Sequence, residues 1–346
     1  MVRMIDKQKT RIGVVGGGAW GTALAKLLAD KGFFVDFWVF ETEVKEQIES
    51  LRENKVFLPD VILPKNITPT NNLETAVKDK DLVLVVVPSH CMRDVAGLMK
   101  PFVNSDTVVV TASKGIENKT HMTMTQILAE KIDHLPQINI AVLSGPSFAK
   151  EVANKVPTVV AVAATSKEVG EYVQQIFSCP TFRVYMNNDP IGTQIGGAMK
   201  NVLAIAAGIC DGMNMGLNPR AALITRGLTE MNRLGTKLGA DPLTLSGLAG
   251  VGDLLLTCTG ALSRNYTVGK QIGQGKKLDE IISEMRMVAE GVKTTRSVYN
   301  LSKKLGVDLP ICNEVYHVLF EDYKVEEVVE RLMNRTLKHE FDGVLE

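Results

Sequence analysis

Runs of consecutive apolar residues punctuate the first half of the chain. They fall at 11–15 (RIGVV), 33–40 (FFVDFWVF), 82–87 (LVLVVV), 107–112 (TVVVTA), 138–143 (INIAVL) and 158–164 (TVVAVAA). Several are apolar at successive positions and not at alternate ones, as strands buried on both faces are. Between them, 19–31 (AWGTALAKLLADK) carries Leu and Ala at helical spacing, and Gly32 stops it. Stretches 42–53, 89–100, 121–133 and 167–178 separate the later runs as helices or loops. Doubly buried strands alternating with helices predict a parallel α/β sheet with helices on both faces.

The pattern changes at Asn187–Pro190. Beyond it no strand is predicted, and helices are expected at 191–210, 219–238, 265–273, 278–285, 289–305, 312–321 and 324–333. A chain of 346 residues, at roughly 100–200 residues per domain, accommodates two domains. The expected division is 1–190, a dinucleotide-binding domain by the motif below, and 191–346, an all-helical domain.

Charge narrows the function. Lys plus Arg and Asp plus Glu each number 39, so the formal net charge is zero. That balance argues against a nucleic-acid or anionic-membrane protein, and 5% aromatic residues argue against base-stacking platforms. The five cysteines are odd in number, with no CxxC, and read as free thiols of a reducing compartment. There is no HExxH and no His/Cys cluster, so no metal site is expected. The N-terminus lacks an apolar core for a signal peptide, and no uninterrupted apolar run reaches membrane-span length. A cytoplasmic protein without membrane insertion is expected.

Gly16-Gly17-Gly18-Ala19-Trp20-Gly21 matches G-x-G-x-x-G between a predicted strand and a predicted helix. Gly16 permits the tight turn, Gly18 the approach of a pyrophosphate, and Gly21 close packing of helix on sheet. The helix N-terminus then offers N–H groups to the phosphates. The next strand ends in Val39-Phe40-Glu41. Glu41 can bind the ribose hydroxyls and repel a 2′-phosphate, with Phe40 against the adenine, or it can simply open the next helix.

Lys114 follows a buried strand, where ligands of such sheets sit, and either faces a substrate there or is an ordinary lysine of a surface loop. A second strand end, Ser144-Gly145-Pro146-Ser147-Phe148-Ala149, has small residues that admit a ligand. Lys200 stands in an otherwise apolar Gly/Ala-rich helix. It either snorkels out or is held inside, where burial and a nearby cation lower its pKa toward proton transfer. Asp253, among glycines and leucines, is either an N-cap or a lysine's partner. Ser263-Arg264-Asn265 before a helix is an ordinary capped turn or a phosphate site.

Taken together, GGGAWGTALA (16–25), VVVPSH (85–90), SKGIE (113–117), SGPSFAKE (144–151), GGAMKNVLAIAAG (196–208), ALITRGLTEM (222–231), GLAGVGDLLLTCT (247–259), SRN (263–265) and AEGVKT (289–294) resemble the NAD(P)-dependent glycerol-3-phosphate dehydrogenases over nearly the whole chain. The resemblance implies an N-terminal Rossmann-type, mostly parallel sheet and a C-terminal helical substrate domain. It implies reversible hydride transfer between dihydroxyacetone phosphate and sn-glycerol 3-phosphate, a homodimer, and in bacteria a supply of product to glycerophospholipid synthesis. By matching position, Lys200 is the proton donor and acceptor, Lys114 contacts cofactor and substrate, and Asn201, Asp253 and Thr257 line the catalytic site. Gly145, Ser147, Ser263, Arg264 and Asn265 belong to the substrate site. Ala19, Trp20, Phe40, Ala149, Arg264, Val288 and Glu290 fall on cofactor positions. Some members carry a basic residue at or beside the Phe40 position, where it suits a 2′-phosphate; here the segment is Val39-Phe40-Glu41, which leaves NAD and NADP both open. A related dehydrogenase for another hydroxy acid or a nucleotide sugar would share the fold, but Ser263–Asn265 and Gly250–Thr257 match the glycerol-3-phosphate group. A catalytically dead NAD(H) sensor would have lost Lys200, Lys114 or Asp253, and all three are present.

Overall fold

The computed structural model describes residues 5–285 and 289–340. The chain forms two compact units, one running to Ser113 and resuming over Met124–Pro190, the other made of Lys114–Thr123 and the chain from Ile191 onward. The division near residue 190 therefore carries an exception. Residues 114–123, counted above with the first domain, pack within the second unit.

The first unit holds β1 (Arg11–Val15), β2 (Phe34–Trp38), β3 (Glu53–Asn54), β4 (Leu58–Ile62), β5 (Ile67–Thr70), β6 (Leu82–Val85), β7 (Val108–Thr111), β8 (Ile140–Ser144), β9 (Thr158–Ala164) and β10 (Phe182–Asn187). Eight of them form one sheet in the order β10-β9-β8-β7-β6-β1-β2-β5. Every neighbouring pair is parallel except β8 and β9, which are antiparallel. β3 and β4 make a separate antiparallel pair. The central strands β6, β7 and β8 are buried at every position, as their unbroken apolar runs require. The two edge strands went unpredicted for the complementary reason. β10 alternates buried and exposed over its first four residues, and β5 is short and contains Pro69, a residue that suits an edge.

Helices α1 (Ala19–Asp30), α2 (Thr42–Leu51), α3 (Leu73–Val77), α4 (Met92–Met99), α5 (Met124–Lys131), α6 (Ala149–Ala153) and α7 (Lys167–Phe177) complete this unit. α4 buries Met92, Val95, Ala96 and Met99, the i, i+3, i+4, i+7 stripe of a helix lying on a core.

The second unit is helical: α8 (Pro190–Gly212), α9 (Leu217–Lys237), α10 (Pro242–Leu245), a π-helical turn (Leu248–Gly252), α11 (Asp253–Thr259), α12 (Arg264–Gly273), α13 (Leu278–Glu284), α14 (Glu290–Leu305), α15 (Pro310–Phe320) and α16 (Val325–Met333). Among the described residues no strand follows Asn187. One stretch, Pro242–Thr259, is long and apolar enough by mean composition to cross a membrane, although polar residues and Asp253 interrupt it. It is folded as α10, the π turn and α11, and it carries a charged residue paired inside the unit.

α8 is buried almost all round and is the axis of this unit. It meets α12 backbone to backbone. A Cβ on Gly208 would lie 2.1 Å from the Tyr266 carbonyl oxygen, and one on Gly212 2.3 Å from that of Lys270. From the other side, Cβ atoms on Gly269 and Gly273 would lie 2.0 and 2.4 Å from the carbonyl oxygens of Ile205 and Ile209. Four glycines at four-residue spacing thus set the separation of the two helices. Elsewhere in the core, the Glu230 carboxylate accepts from the N–H groups of Ile311 (2.6 Å) and Cys312 (3.1 Å) at the start of α15. Burial pushes that carboxyl up to about 7, against the opposing pull of those two N–H groups.

Candidate active site

The glycine loop of the first unit follows β1. Gly16 has φ +124°, a conformation that side chains resist, and a Cβ on Gly21 would lie 1.9 Å from the Gly16 carbonyl oxygen. A Cβ on Gly18 would meet nothing within 4 Å, and Gly18 caps α1 with no side-chain hydrogen bond. The backbone at the entry to α1 is therefore uncrowded at Gly18, which is what the approach of a pyrophosphate to a helix N-terminus needs. Trp20 Nε1 in the first turn is buried without a partner, and Ala19 is half-buried beside it. These features fit a dinucleotide. Phe40, 77% exposed, meets Trp38 edge-on, and Glu41 is the exposed N-cap residue of α2 without a capping bond. Gly145 (φ +146°) directly follows β8, and the Ser147 hydroxyl donates to its carbonyl at 2.9 Å. Ala149 begins α6.

The second unit gathers the lysines. The Asp253 carboxylate is fully buried at the start of α11. One oxygen accepts from Lys114 Nζ at 2.6 Å and the other from Lys200 Nζ. Lys200 also donates to Thr257 Oγ1 at 2.9 Å, while that hydroxyl donates to the Asp253 carbonyl at 2.6 Å. The N-cap reading of Asp253 is thereby replaced: Gly252 precedes α11, and the Asp253 side chain is the lysines' partner. Lys200, 8% exposed, does not snorkel. Burial is the main cause that lowers its pKa to about 8; Asp253 opposes this, and the Lys114 ammonium adds to it.

The cluster is placed by backbone contact. A Cβ on Gly196 would lie 2.3 Å from the Ala249 carbonyl oxygen, and one on Gly250 1.8 Å from that of Leu245. Only bare backbone lets α8 and α10 close on the π turn that delivers Asp253. Two lysines sharing one carboxylate carry a net positive charge in a buried setting, and such a setting favours an anion or a developing alkoxide.

Asn201, one residue past Lys200, accepts from Asn265 Nδ2 at 2.9 Å, and Asn265 Oδ1 accepts from Gly291 N–H at 2.9 Å. Asn265 is thus a buried bridge between α8 and α14, not a cap. Ser263 is the cap, its hydroxyl accepting from Tyr266 N–H at 3.2 Å. Arg264 is the exposed first residue of α12, and Glu290 the first of α14. Val288 lies outside the described residues. The π turn and the Gly208/Gly212 and Gly269/Gly273 pairs were not singled out from the sequence; the four-residue spacing of the glycines was the available signal. A cavity of about 490 Å³ in this unit, lined by Ile209, Leu223, Val315 and Val328 among others, contains none of the candidate site residues. Among the described residues no cluster of His, Cys, Asp or Glu could hold a metal.

An open glycine loop between a strand and a helix, and two lysines sharing one buried carboxylate, are features to be expected of a nicotinamide-dependent oxidoreductase. The comparisons agree in detail. Models of the N- and C-terminal parts of NAD-dependent glycerol-3-phosphate dehydrogenase match residues 11–170 and 189–330. The chain is 54% identical over 331 residues to a glycerol-3-phosphate dehydrogenase [NAD(P)+] of Syntrophobacter fumaroxidans, covering 96% of this chain and 97% of that one. It is 52% identical to that of Geobacter sulfurreducens, covering 95% and 98%. The crystal structure of the glycerol-3-phosphate dehydrogenase of Coxiella burnetii superposes with a TM-score of 0.91 at 37% identity, covering 94% and 99%. The chain belongs to the NAD-dependent glycerol-3-phosphate dehydrogenase family. It is an NAD(P)-dependent oxidoreductase, and reversible reduction of dihydroxyacetone phosphate is the family's reaction.

Proposed function

We propose that Lys200 is the proton donor when this chain reduces dihydroxyacetone phosphate, and the acceptor when it oxidises sn-glycerol 3-phosphate. The observation that carries this reading is the buried pairing of Lys200 and Lys114 on the single carboxylate of Asp253. When bound, the nicotinamide supplies or takes the hydride. Gly16, Gly18, Ala19, Trp20 and Gly21 hold its pyrophosphate, and Phe40 and Glu41 its adenosine. Ala149, Arg264, Val288 and Glu290 are the remaining cofactor positions.

Lys200, protonated, faces the carbonyl oxygen and stabilises the negative charge that grows there. Its pKa of about 8 lets it give that proton up near neutral pH. Asp253 and Thr257 keep the ammonium in one orientation, and Lys114 balances the carboxylate. Arg264 and the first N–H groups of α12 take the substrate phosphate, with Gly145, Ser147, Ser263, Asn201 and Asn265 completing the substrate's surroundings. Binding energy from the remote phosphate then orients the carbonyl. The Rossmann-type unit serves the cofactor, and the helical unit serves substrate binding and dimerisation. The working enzyme is a cytoplasmic homodimer without membrane insertion or nucleic-acid partner, and its product enters glycerophospholipid synthesis.

The test is initial-rate oxidation of NADH and NADPH with dihydroxyacetone phosphate, followed at 340 nm, for the unaltered protein and Lys200→Met. Turnover by the former and its loss in the latter, with NADH binding kept, is expected. Undiminished turnover by Lys200→Met removes the assignment. The ratio of the two cofactor rates reads out what Phe40 and Glu41 select.

A further inference from the structure

Lys114 reaches Asp253 from a loop, and loops are poor platforms for a group that must sit within a few tenths of an ångström. Something must hold this one. Between Lys114 and Thr123 the chain closes on itself. Ile116 bridges Thr123, and Glu117 N–H donates to the Met122 carbonyl at 3.0 Å. Ile116 is buried in the helical core, and Gly115 between it and Lys114 has φ +156°. Lys114 is therefore one glycine joint away from an anchored residue.

The anchor comes from α14. Ser297, completely buried in mid-helix, lies 2.8 Å from the Ile116 carbonyl oxygen and 2.7 Å from Asn118 Oδ1. A buried mid-helix serine ordinarily donates to the carbonyl four residues back. Here that contact, to Lys293, is the long one at 3.5 Å. A hydroxyl has one proton, and a backbone carbonyl can only accept. Ser297 satisfies both short contacts when its O–H donates to Ile116 and the Asn118 amide turns its N–H toward Ser297 Oγ.

We propose that Ser297, with Asn118, is a positioning residue that holds Lys114 against Asp253. The inference rests on the reading that the Lys114–Asp253–Lys200 cluster performs the proton transfer. Ser297 touches neither lysine, so it acts only through the loop. The groups acting on the Lys200 ammonium are Asp253, Thr257 and the Cys258 thiol on α11, and Lys114 on the loop. Of these, only Lys114 depends on Ser297.

The experiment is the pH profile of kcat for dihydroxyacetone phosphate reduction in Ser297→Ala, Asn118→Ala, Lys114→Met and the double variant Ser297→Ala/Lys114→Met. Circular dichroism melts and the hydrogen exchange of 115–123 accompany it. Lys114→Met removes a like charge from Lys200, so its basic limb moves to higher pH by ~0.5 unit or more. Ser297→Ala and Asn118→Ala are expected to move it the same way, to lower kcat by up to ~10-fold, and to speed exchange across 115–123. In the Lys114→Met background Ser297→Ala adds no further limb shift. If Lys114→Met moves the limb and Ser297→Ala and Asn118→Ala do not, the positioning role is overturned. A further shift in the double variant overturns it too. If Lys114→Met itself leaves the limb and the rate unchanged, the failure lies with the proton-transfer reading. Should Ser297→Ala fail to fold, Asn118→Ala, altered on the half-buried loop side, decides alone.

Discussion

Asp253→Asn is the sharpest perturbation of the cluster, because it keeps the shape and removes the one negative charge. In the native protein each carboxylate oxygen meets an ammonium. In the variant one of the two positions becomes an N–H2 group facing a lysine, and two cations are left with no anion between them. An opposite charge at this range shifts a pKa by about 1–3 units, so its loss takes Lys200 from about 8 to roughly 5–7. At pH 7.5 the protonated share of Lys200 then falls from about three quarters to between about a quarter and under 1%. Population alone lowers the reductive rate there ~3-fold to a few hundredfold. The assay is the pH dependence of kcat in both directions, with initial rates at 340 nm. The limb must move to lower pH in both, reduction failing earlier and oxidation reaching its plateau earlier. A limb that stays near pH 8, or moves up, refutes the view that Asp253 sets the proton affinity of Lys200.

Three further outcomes are expected. Glu230 binds its proton more tightly folded than unfolded, with a folded pKa of about 7. Its contribution to stability is therefore full below the unfolded value, falls as pH rises to about 7 and is flat above, ~3 kcal/mol in all. Glu230→Gln removes this slope, so melting temperatures at pH 5 and pH 8 should differ less in the variant than in the parent. Gly269→Ala forces a Cβ to 2.0 Å from a backbone oxygen and should cost at least ~2 kcal/mol by urea unfolding, whereas Gly97→Ala in α4, with nothing within 4 Å, should be neutral or slightly stabilising. Arg264→Ala should raise KM for dihydroxyacetone phosphate ~10-fold or more and impair turnover of dihydroxyacetone much less; equal loss on both would remove the phosphate role.

What the sequence made legible follows from how each feature is encoded. Central strands and the α4 stripe are written in local apolar patterns, and so were readable. β5 and β10 are edge strands whose hydrogen bonds on one side decide them, and their short or alternating patterns match loops equally well. The glycine fingerprint announced its turn because each glycine answers a local backbone demand. Lys200 and Asp253 were visible as charges stranded among apolar neighbours, and that incongruity pointed to a pairing before any geometry was known. Ser297 gave no such sign, because a serine in a helix is unremarked until the chain 181 residues away is seen to close on it. The π turn was equally hidden, since the contacts that make Gly250 necessary lie on α10.

The ten residues from Lys114 to Thr123 leave one unit, fold into the other and return. Neither unit is thus a continuous piece of polypeptide. A fragment cut at residue 190 would carry Asp253 and Ser297 with the loop that each of them holds left behind on the other fragment. The buried carboxylate would then face Lys200 alone, and the helical core would lose Ile116. Two compact units are consequently not two separable pieces: this chain cannot be cut at residue 190, nor exchanged with a relative at that boundary, without carrying the 114–123 loop along.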